Sequence, residues 1–475
     1  MATQHGNPMP NTVSIARTVS VHPKPTIQPP SKLLELSNLD RQCPALMYLV
    51  FFYTSPRRSS LGHVFDGLKS GLEETLNAWY PSAGRLRRDP KDGNKLNIRC
   101  NNEGAVMVEA STRVKIKELG ELSEYTEFFE NLVYKPPLAD EDFSGMPLVV
   151  VQCMQVTRFG CGGFSIGIGI SHSLFDGPAA YNFLSAWSSN SAVSKEKKGI
   201  EVPLPVHDRG KLLFFTSQAQ RDNPASGKKS PNQATTRATA IDHLYQLIMS
   251  TATDPNGSLS STGCMRFVHK TFHLSGEALE SLKKRCISEK KESFSCSSFE
   301  VVAAHIWKAR TKALGIKKET MACLQFPVDV RNKMSLPLSR GFTGNAYVLA
   351  SVMLTCKELE QSSYEGIARK IRAAKNSVNE EYVKAYIQAL QGSQENNSLP
   401  PLKELTIVSD WTRMPFHRVD FLGEEAVYVS PLVPPVQQVA CLMQNPRDNK
   451  GIDIRIGLFP HIVDAFSSYL TTLES

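Results

Sequence analysis

Apolar positions along the chain recur with two different periods, in alternating blocks. In HVFDGLKSGLEETLNAW, Val64, Leu68, Leu72 and Leu76 return every four residues, the spacing of one face of an α-helix. The same reading predicts helix through EGIARKIRAAKNSVNEEYVKAYIQAL, with Ile367, Ile371 and Val378 on one face. SSFEVVAAHIWKARTKALG opens with Ser297 and Glu300 at capping-box spacing and stops at Gly315. Around these helices lie alternating or unbroken apolar runs that predict strands: KLNIRC, AVMVEAS, PLVVVQCMQVTRF, RFVHKTFHL, MACLQFPVDV, NAYVLASVML, QQVACLMQ and IDIRIGLF. Strands and helices are mixed in both halves, so the expected class is α/β with mixed sheets.

At 475 residues the chain is too long for one hydrophobic core, and two domains are expected. One stretch lacks either period. Between about Ser189 and Ala240 the sequence is polar and carries Pro and Gly, as in SKEKKG and NPASGKKSPNQATTRAT. The expected division is residues 1–190, a crossover over 191–240, and residues 241–475.

The most informative run is GGFSIGIGISHSLFDGPAA, residues 162–180. Phe164, Ile166, Ile168 and Ile170 alternate with Ser165, Gly167, Gly169 and Ser171. The first set fits a face packed on a core. The second set signals close approach, by a neighbouring element or by a ligand, and the two alternatives weigh equally. Beyond the strand, DGPAAYNFLSAW reads as a helix with Asp176 as N-cap and Pro178 in its first turn. His172 then falls in the strand-to-helix loop, where functional groups of α/β folds often sit. A lone histidine there is more often structural than catalytic, and Asp176 could do no more than cap. The two are not i, i+4 neighbours on a helix, which argues against a metal pair. GFSIG matches the G-x-S-x-G pattern of hydrolases, but its serine lies in mid-strand rather than on a sharp strand-to-helix turn.

Composition narrows the classes little. Hydrophobic residues are 41% and charged residues 21%, as in ordinary soluble globular proteins. The start MATQHGNPMP has neither a basic region nor an apolar core, so no signal peptide is expected. ALMYLVFFY and PLVVVQCMQV reach about half of the ~20 residues that span a bilayer. The ten cysteines are scattered singly, which suggests reduced thiols in the cytosol and gives a zinc site little support. A net charge of +8 spread along the chain makes nucleic acid a weak partner.

Several motifs in order carry a resemblance. HSLFDG resembles the HxxxD motif of the plant BAHD acyl-CoA-dependent acyltransferases. LSNLDRQCP, YPSAGRLRRD, SSFEVVAAHIWKAR, VDVRNKMSLPLSRGFTGNA and SDWTRMPFHRVDF resemble stretches of that family in its own order. The resemblance covers nearly the whole chain. LSNLDRQCPALMYLVFFY and LNIRCNNEGAVMVEA are most similar to its brassinosteroid-related branch.

The resemblance implies two similarly folded domains with a channel between them, acyl-CoA as co-substrate, and no bound cofactor or metal. A cytoplasmic monomer is expected, with the endoplasmic reticulum surface as the alternative location for a lipid-like acceptor. It implies His172 as general base and Asp176 as a structural residue paired with Arg331. Asn345 is implied near the channel, and Ser298 near bound CoA. Arg413 aligns with an arginine that grips an acceptor carboxylate in the hydroxycinnamoyl shikimate/quinate branch, although a steroid alcohol has no carboxylate. Where most members carry DFGWG, this chain reads DFLGE, Asp420 to Glu424. That departure keeps a non-catalytic auxiliary role in very-long-chain lipid elongation as an alternative. The expected activity is O-acylation of a hydrophobic plant alcohol such as a brassinosteroid, with hydroxycinnamoyl transfer to a shikimate- or quinate-like acceptor as the enzymatic alternative.

Overall fold

The computed structural model describes residues 13–24, 32–54, 61–89, 95–137, 143–156, 163–191, 202–215, 238–252, 267–286, 295–390, 402–421, 423 and 425–472. In chain order the strands are β1 (Val13–Val21), β2 (Lys32–Leu34), β3 (Leu46–Tyr53), β4 (Arg85–Arg88), β5 (Leu96–Cys100), β6 (Ala105–Thr112), β7 (Val149–Val156) and β8 (Gly163–Ser171). They continue with β9 (Val268–Leu274), β10 (Met321–Asp329), β11 (Tyr347–Thr355), β12 (Leu405–Asp410), β13 (Tyr428–Pro431), β14 (Val439–Gln444) and β15 (Ile452–Leu458). The α-helices are α1 (Asn38–Arg41), α2 (Leu61–Ala78), α3 (Gly177–Asn190), α4 (Thr239–Ala252), α5 (Gly276–Lys284), α6 (Ser298–Ala313), α7 (Cys356–Gln361), α8 (Tyr364–Asn376), α9 (Glu380–Ala389) and α10 (Val463–Thr471).

The chain divides into two compact units. The first takes Met1–Glu35, Cys43–His207 and Phe416–Pro434; the second takes Leu36–Gln42, Asp208–Pro415 and Pro435–Ser475. Each unit holds a six-stranded mixed sheet. The first is ordered β1-β6-β7-β8-β3-β13 and the second β11-β10-β12-β14-β15-β9. The strand pair β6·β7 is parallel in the first sheet, and β10·β12 and β12·β14 are parallel in the second. A small antiparallel sheet, β2-β5-β4, completes the first unit. Of the expected crossover, only 191, 202–215 and 238–240 lie among the described residues.

In the first unit β8 is buried along its whole length, pairing antiparallel with β3 and β7. Its small-residue face is filled by the chain itself. A Cβ at Gly167 would stand 1.9 Å from the Leu132 carbonyl oxygen, and one at Gly169 would stand 2.5 Å from the Tyr48 ring. Of the two alternatives for that face, close packing against protein wins at both positions. Helix α3 lies against α2: the Trp187 indole donates to the Leu68 carbonyl at 2.9 Å, and a Cβ at Gly71 would meet Ser191.

In the second unit α6 buries Val301 to Trp307 and packs on α8 and α10. Its capping box forms as the spacing predicts, with Ser297 Oγ accepting from the Glu300 amide at 3.2 Å and the Ser297 amide donating to Glu300 at 2.9 Å. Gly315, two residues past the helix, takes φ +58°. The long periodic segment after Glu365 is two helices rather than one. The break falls at Ser377–Asn379, where Asn379 caps α9 by accepting from the Tyr382 amide at 2.9 Å. An asparagine side chain that satisfies an orphan N–H favours a new helix start over continuation. Among the described residues no helix is long and apolar enough to cross a membrane.

Candidate active site

His172 occupies the first position after β8, half-buried. Its own amide donates to the Ala45 carbonyl at 2.9 Å, and the preceding Ser171 amide donates to Leu148 at 2.9 Å. The chain then reverses at once, with the Leu174 and Phe175 amides donating back to Ser171 carbonyl at 3.0 and 3.1 Å. Phe175 anchors the turn from inside, its ring 5.0 Å from Phe183 and 5.9 Å from Trp79. The imidazole is therefore carried by a backbone fixed at both ends, which limits the entropy lost when it engages a ligand.

Asp176 ends the same turn and starts α3. It is buried, and its Oδ1 accepts from the Ala179 amide at 3.0 Å. Pro178 follows in the first turn, where a missing N–H costs nothing. The expected cap is thus present.

Arg331, in the second unit, follows β10 and is buried. Its amide and guanidinium both engage Asp329, at 2.8 and 3.3 Å. Its Nη2 donates to the carbonyls of Phe342 and Gly344 at 3.2 and 3.4 Å. Arg331 is thereby tied to the GFTGN turn before β11, which carries Asn345.

Asn345 is fully buried. Its backbone amide and its side-chain amide both donate to Asp40 Oδ1, at 2.8 and 3.3 Å. Asp40 belongs to the LSNLD segment that caps α1. Its second oxygen accepts from the Ser37 amide and hydroxyl at 2.9 and 2.7 Å, and Arg209 Nε lies 3.6 Å away. Arg209 in turn donates to Thr343 at 3.0 Å. Gly344 sits where any Cβ would be 2.9 Å from both Asp40 Oδ1 and the Arg209 guanidinium. Asn345, expected near a channel, is engaged in holding a buried carboxylate.

Asp40 and Arg209 were not among the residues singled out from the sequence. Ser37 and Asp40 do stand at capping-box spacing in LSNLD, a signal that could have found the aspartate. Arg209 lies in the expected crossover and has no local signal.

Ser298 is the first residue of α6, one past the capping Ser297. Arg413 is exposed in the turn after β12. Ser165, the serine of GFSIG, is buried in mid-strand as expected.

Other candidate nucleophiles are muted. Every cysteine among the described residues is a free thiol, and burial pushes Cys323 and Cys441 up to about 12, far from the thiolate a nucleophile needs. Among the described residues no group of three His, Cys, Asp or Glu side chains could hold a metal ion.

The Transferase family matches residues 12–471. Brassinosteroid-related acyltransferase 1 of Arabidopsis thaliana is 52% identical over 97% of this chain and 98% of its own. Rosmarinate synthase of Plectranthus scutellarioides is 30% identical over 93% and 96%. Among solved structures, vinorine synthase aligns with a TM-score of 0.68 at 19% identity, covering 97% of this chain and 98% of that one. TRI101 of F. sporotrichioides, complexed with coenzyme A and T-2, aligns with a TM-score of 0.67 at 15% identity, covering 92% and 97%.

Proposed function

Because the chain belongs to the BAHD family of acyl-CoA-dependent acyltransferases, we propose that His172 is the general base of an O-acyl transfer to a hydrophobic alcohol of the brassinosteroid class. The observation that carries this reading is the fixed turn at the end of β8, with His172 half-buried on it and Asp176 capping the next helix. The likeness to the brassinosteroid-related relative supports the acceptor class.

The chemistry needs little else. An alcohol is a poor nucleophile while protonated, so imidazole takes its proton as the oxygen attacks the thioester carbonyl. The tetrahedral intermediate collapses by breaking the C–S bond, and the thiolate leaves readily because thiols ionise near ~8.5. Imidazolium returns the proton to sulfur, giving free CoA and the ester. Such base catalysis is worth roughly 10²–10⁴-fold.

The test is CoA-thiol release from a panel of acyl-CoAs, wild type against His172→Ala, each with a steroid alcohol and with a carboxylate-bearing alcohol. Steroid-dependent release that falls at least ~10²-fold in the variant is expected. Release with the acidic alcohol alone would move the acceptor to the hydroxycinnamoyl type, with Arg413 as its carboxylate partner. No release from a folded protein that binds acyl-CoA would favour the auxiliary role.

A further inference from the structure

The small sheet of the first unit gathers positive charge on one face. In the β4·β5 pair, Arg85 stands directly opposite Arg99, and Arg87 opposite Asn97. Side chains two apart on a strand share a face, so Arg85, Arg87 and Arg99 project together while Leu86 and Ile98 are buried on the other side. Like charges directly opposite one another are unfavourable in an antiparallel pair. A sheet that needed only solubility would alternate the signs.

These arginines line an open cavity of about 490 Å³ together with Arg88, Asp89, Asn101, Glu103, Ser144 and Gly145. Among the described lining residues, four are arginines and two are acids. Arg85 is the fixed wall: Nε pairs with Glu103 at 3.0 Å, and Nη1 donates to the carbonyls of Gly84 and Gly104 at 2.8 and 2.7 Å. Arg87 and Arg99 are exposed at the rim. The guanidinium fork matches tetrahedral oxyanions with paired N–H donors, and Arg is favoured over Lys wherever phosphate is gripped in this way.

We propose that this cavity is a binding site for a phosphate-type polyanion, separate from the acyl-transfer chemistry of His172. The site is wide enough for a diphosphate or a small phosphorylated metabolite, and attraction focused by four guanidiniums falls as salt screens it.

The probe is inorganic pyrophosphate, titrated calorimetrically into the full chain at low salt, with and without saturating coenzyme A. We expect one equivalent bound in both cases, and affinity at least ~10-fold weaker in Arg87→Ala/Arg99→Ala, whose thermal midpoint without ligand matches wild type; losing one charge-assisted fork alone predicts a change of this size. Two results overturn the proposal. The first is no saturable binding to wild type. The second is binding that coenzyme A abolishes and the double substitution leaves intact, which would put pyrophosphate in the donor site.

Discussion

Replacing Asp40 with alanine tests whether the GFTGN turn is held by a buried charge. The carboxylate is fully buried and accepts from two groups of Ser37 and two of Asn345, with the almost fully buried Arg209 guanidinium 3.6 Å away. Truncation takes the acceptor from all four donors and leaves Arg209 without that counter-charge. Breaking a buried pair from one side costs about 3–5 kcal/mol. At roughly 2–4 °C per kcal/mol for domains of about 150–250 residues, the midpoint should fall by about 6–20 °C.

Thermal unfolding followed by circular dichroism reads the shift. The charge component is separable, because Asp40→Asn combined with Arg209→Met removes both ions at near-constant volume. The pair should then lose less than the sum of the two single substitutions, by about 0.5–3 kcal/mol. An Asp40→Ala midpoint within about 2 °C of wild type would refute the reasoning, since even one kcal/mol is worth that much. Strict additivity of Asp40→Asn and Arg209→Met would refute the electrostatic part alone.

Two further outcomes follow from buried polar groups. Asp176→Ala removes the cap on the Ala179 amide, so it should cost about 1 kcal/mol and lower soluble yield together with activity; a normally folded, inactive variant would contradict this. His305 accepts at Nδ1 from the Tyr364 hydroxyl at 2.8 Å and donates from Nε2 to the Leu470 carbonyl at 2.8 Å, and burial holds its pKa below the ordinary value. A depressed histidine favours folding above the unfolded value of ~6.5 and loses that contribution as pH falls through the folded value. The midpoint of wild type should therefore drop more steeply below pH ~6.5 than that of His305→Gln, and parallel curves would exclude His305 as the cause.

Local signals explain what was legible in the chain. The Ser297/Glu300 box, the Asp176 cap and the period-two strands depend on residues within four positions of one another, so spacing alone exposes them. The SVNEE break within the long helical period was less visible, because Val378 continues the apolar stripe while Asn379 restarts the helix. The Gly167 and Gly169 face showed that something approaches closely, but the approaching atoms come from Leu132 and Tyr48, far away in sequence. Asp40 and Arg209 illustrate the same limit more sharply. Their partners, Asn345 and Thr343, lie more than a hundred residues away, and no periodicity connects them. Likewise, no local pattern announces that Phe416–Pro434 returns to the first unit.

That return bears on the departure DFLGE. Asp420 and Phe421 keep the first two residues of the common motif, and both are used as anchors. The Ser188 hydroxyl donates to the Asp420 carbonyl, while the Phe421 ring meets Trp187 at 4.7 Å and Phe51 at 5.5 Å, edge to face in both cases. Edge-to-face aromatic pairs of this kind are each worth about 0.5–1.5 kcal/mol beyond the area they bury. Gly423 takes φ +80°, a conformation that glycine adopts without steric cost. The segment is thus docked onto α3, the helix that Asp176 caps, by its aspartate carbonyl and its phenylalanine. Neither contact requires the missing tryptophan. The two residues that this chain keeps of the motif are therefore the ones that hold it on α3 and β3.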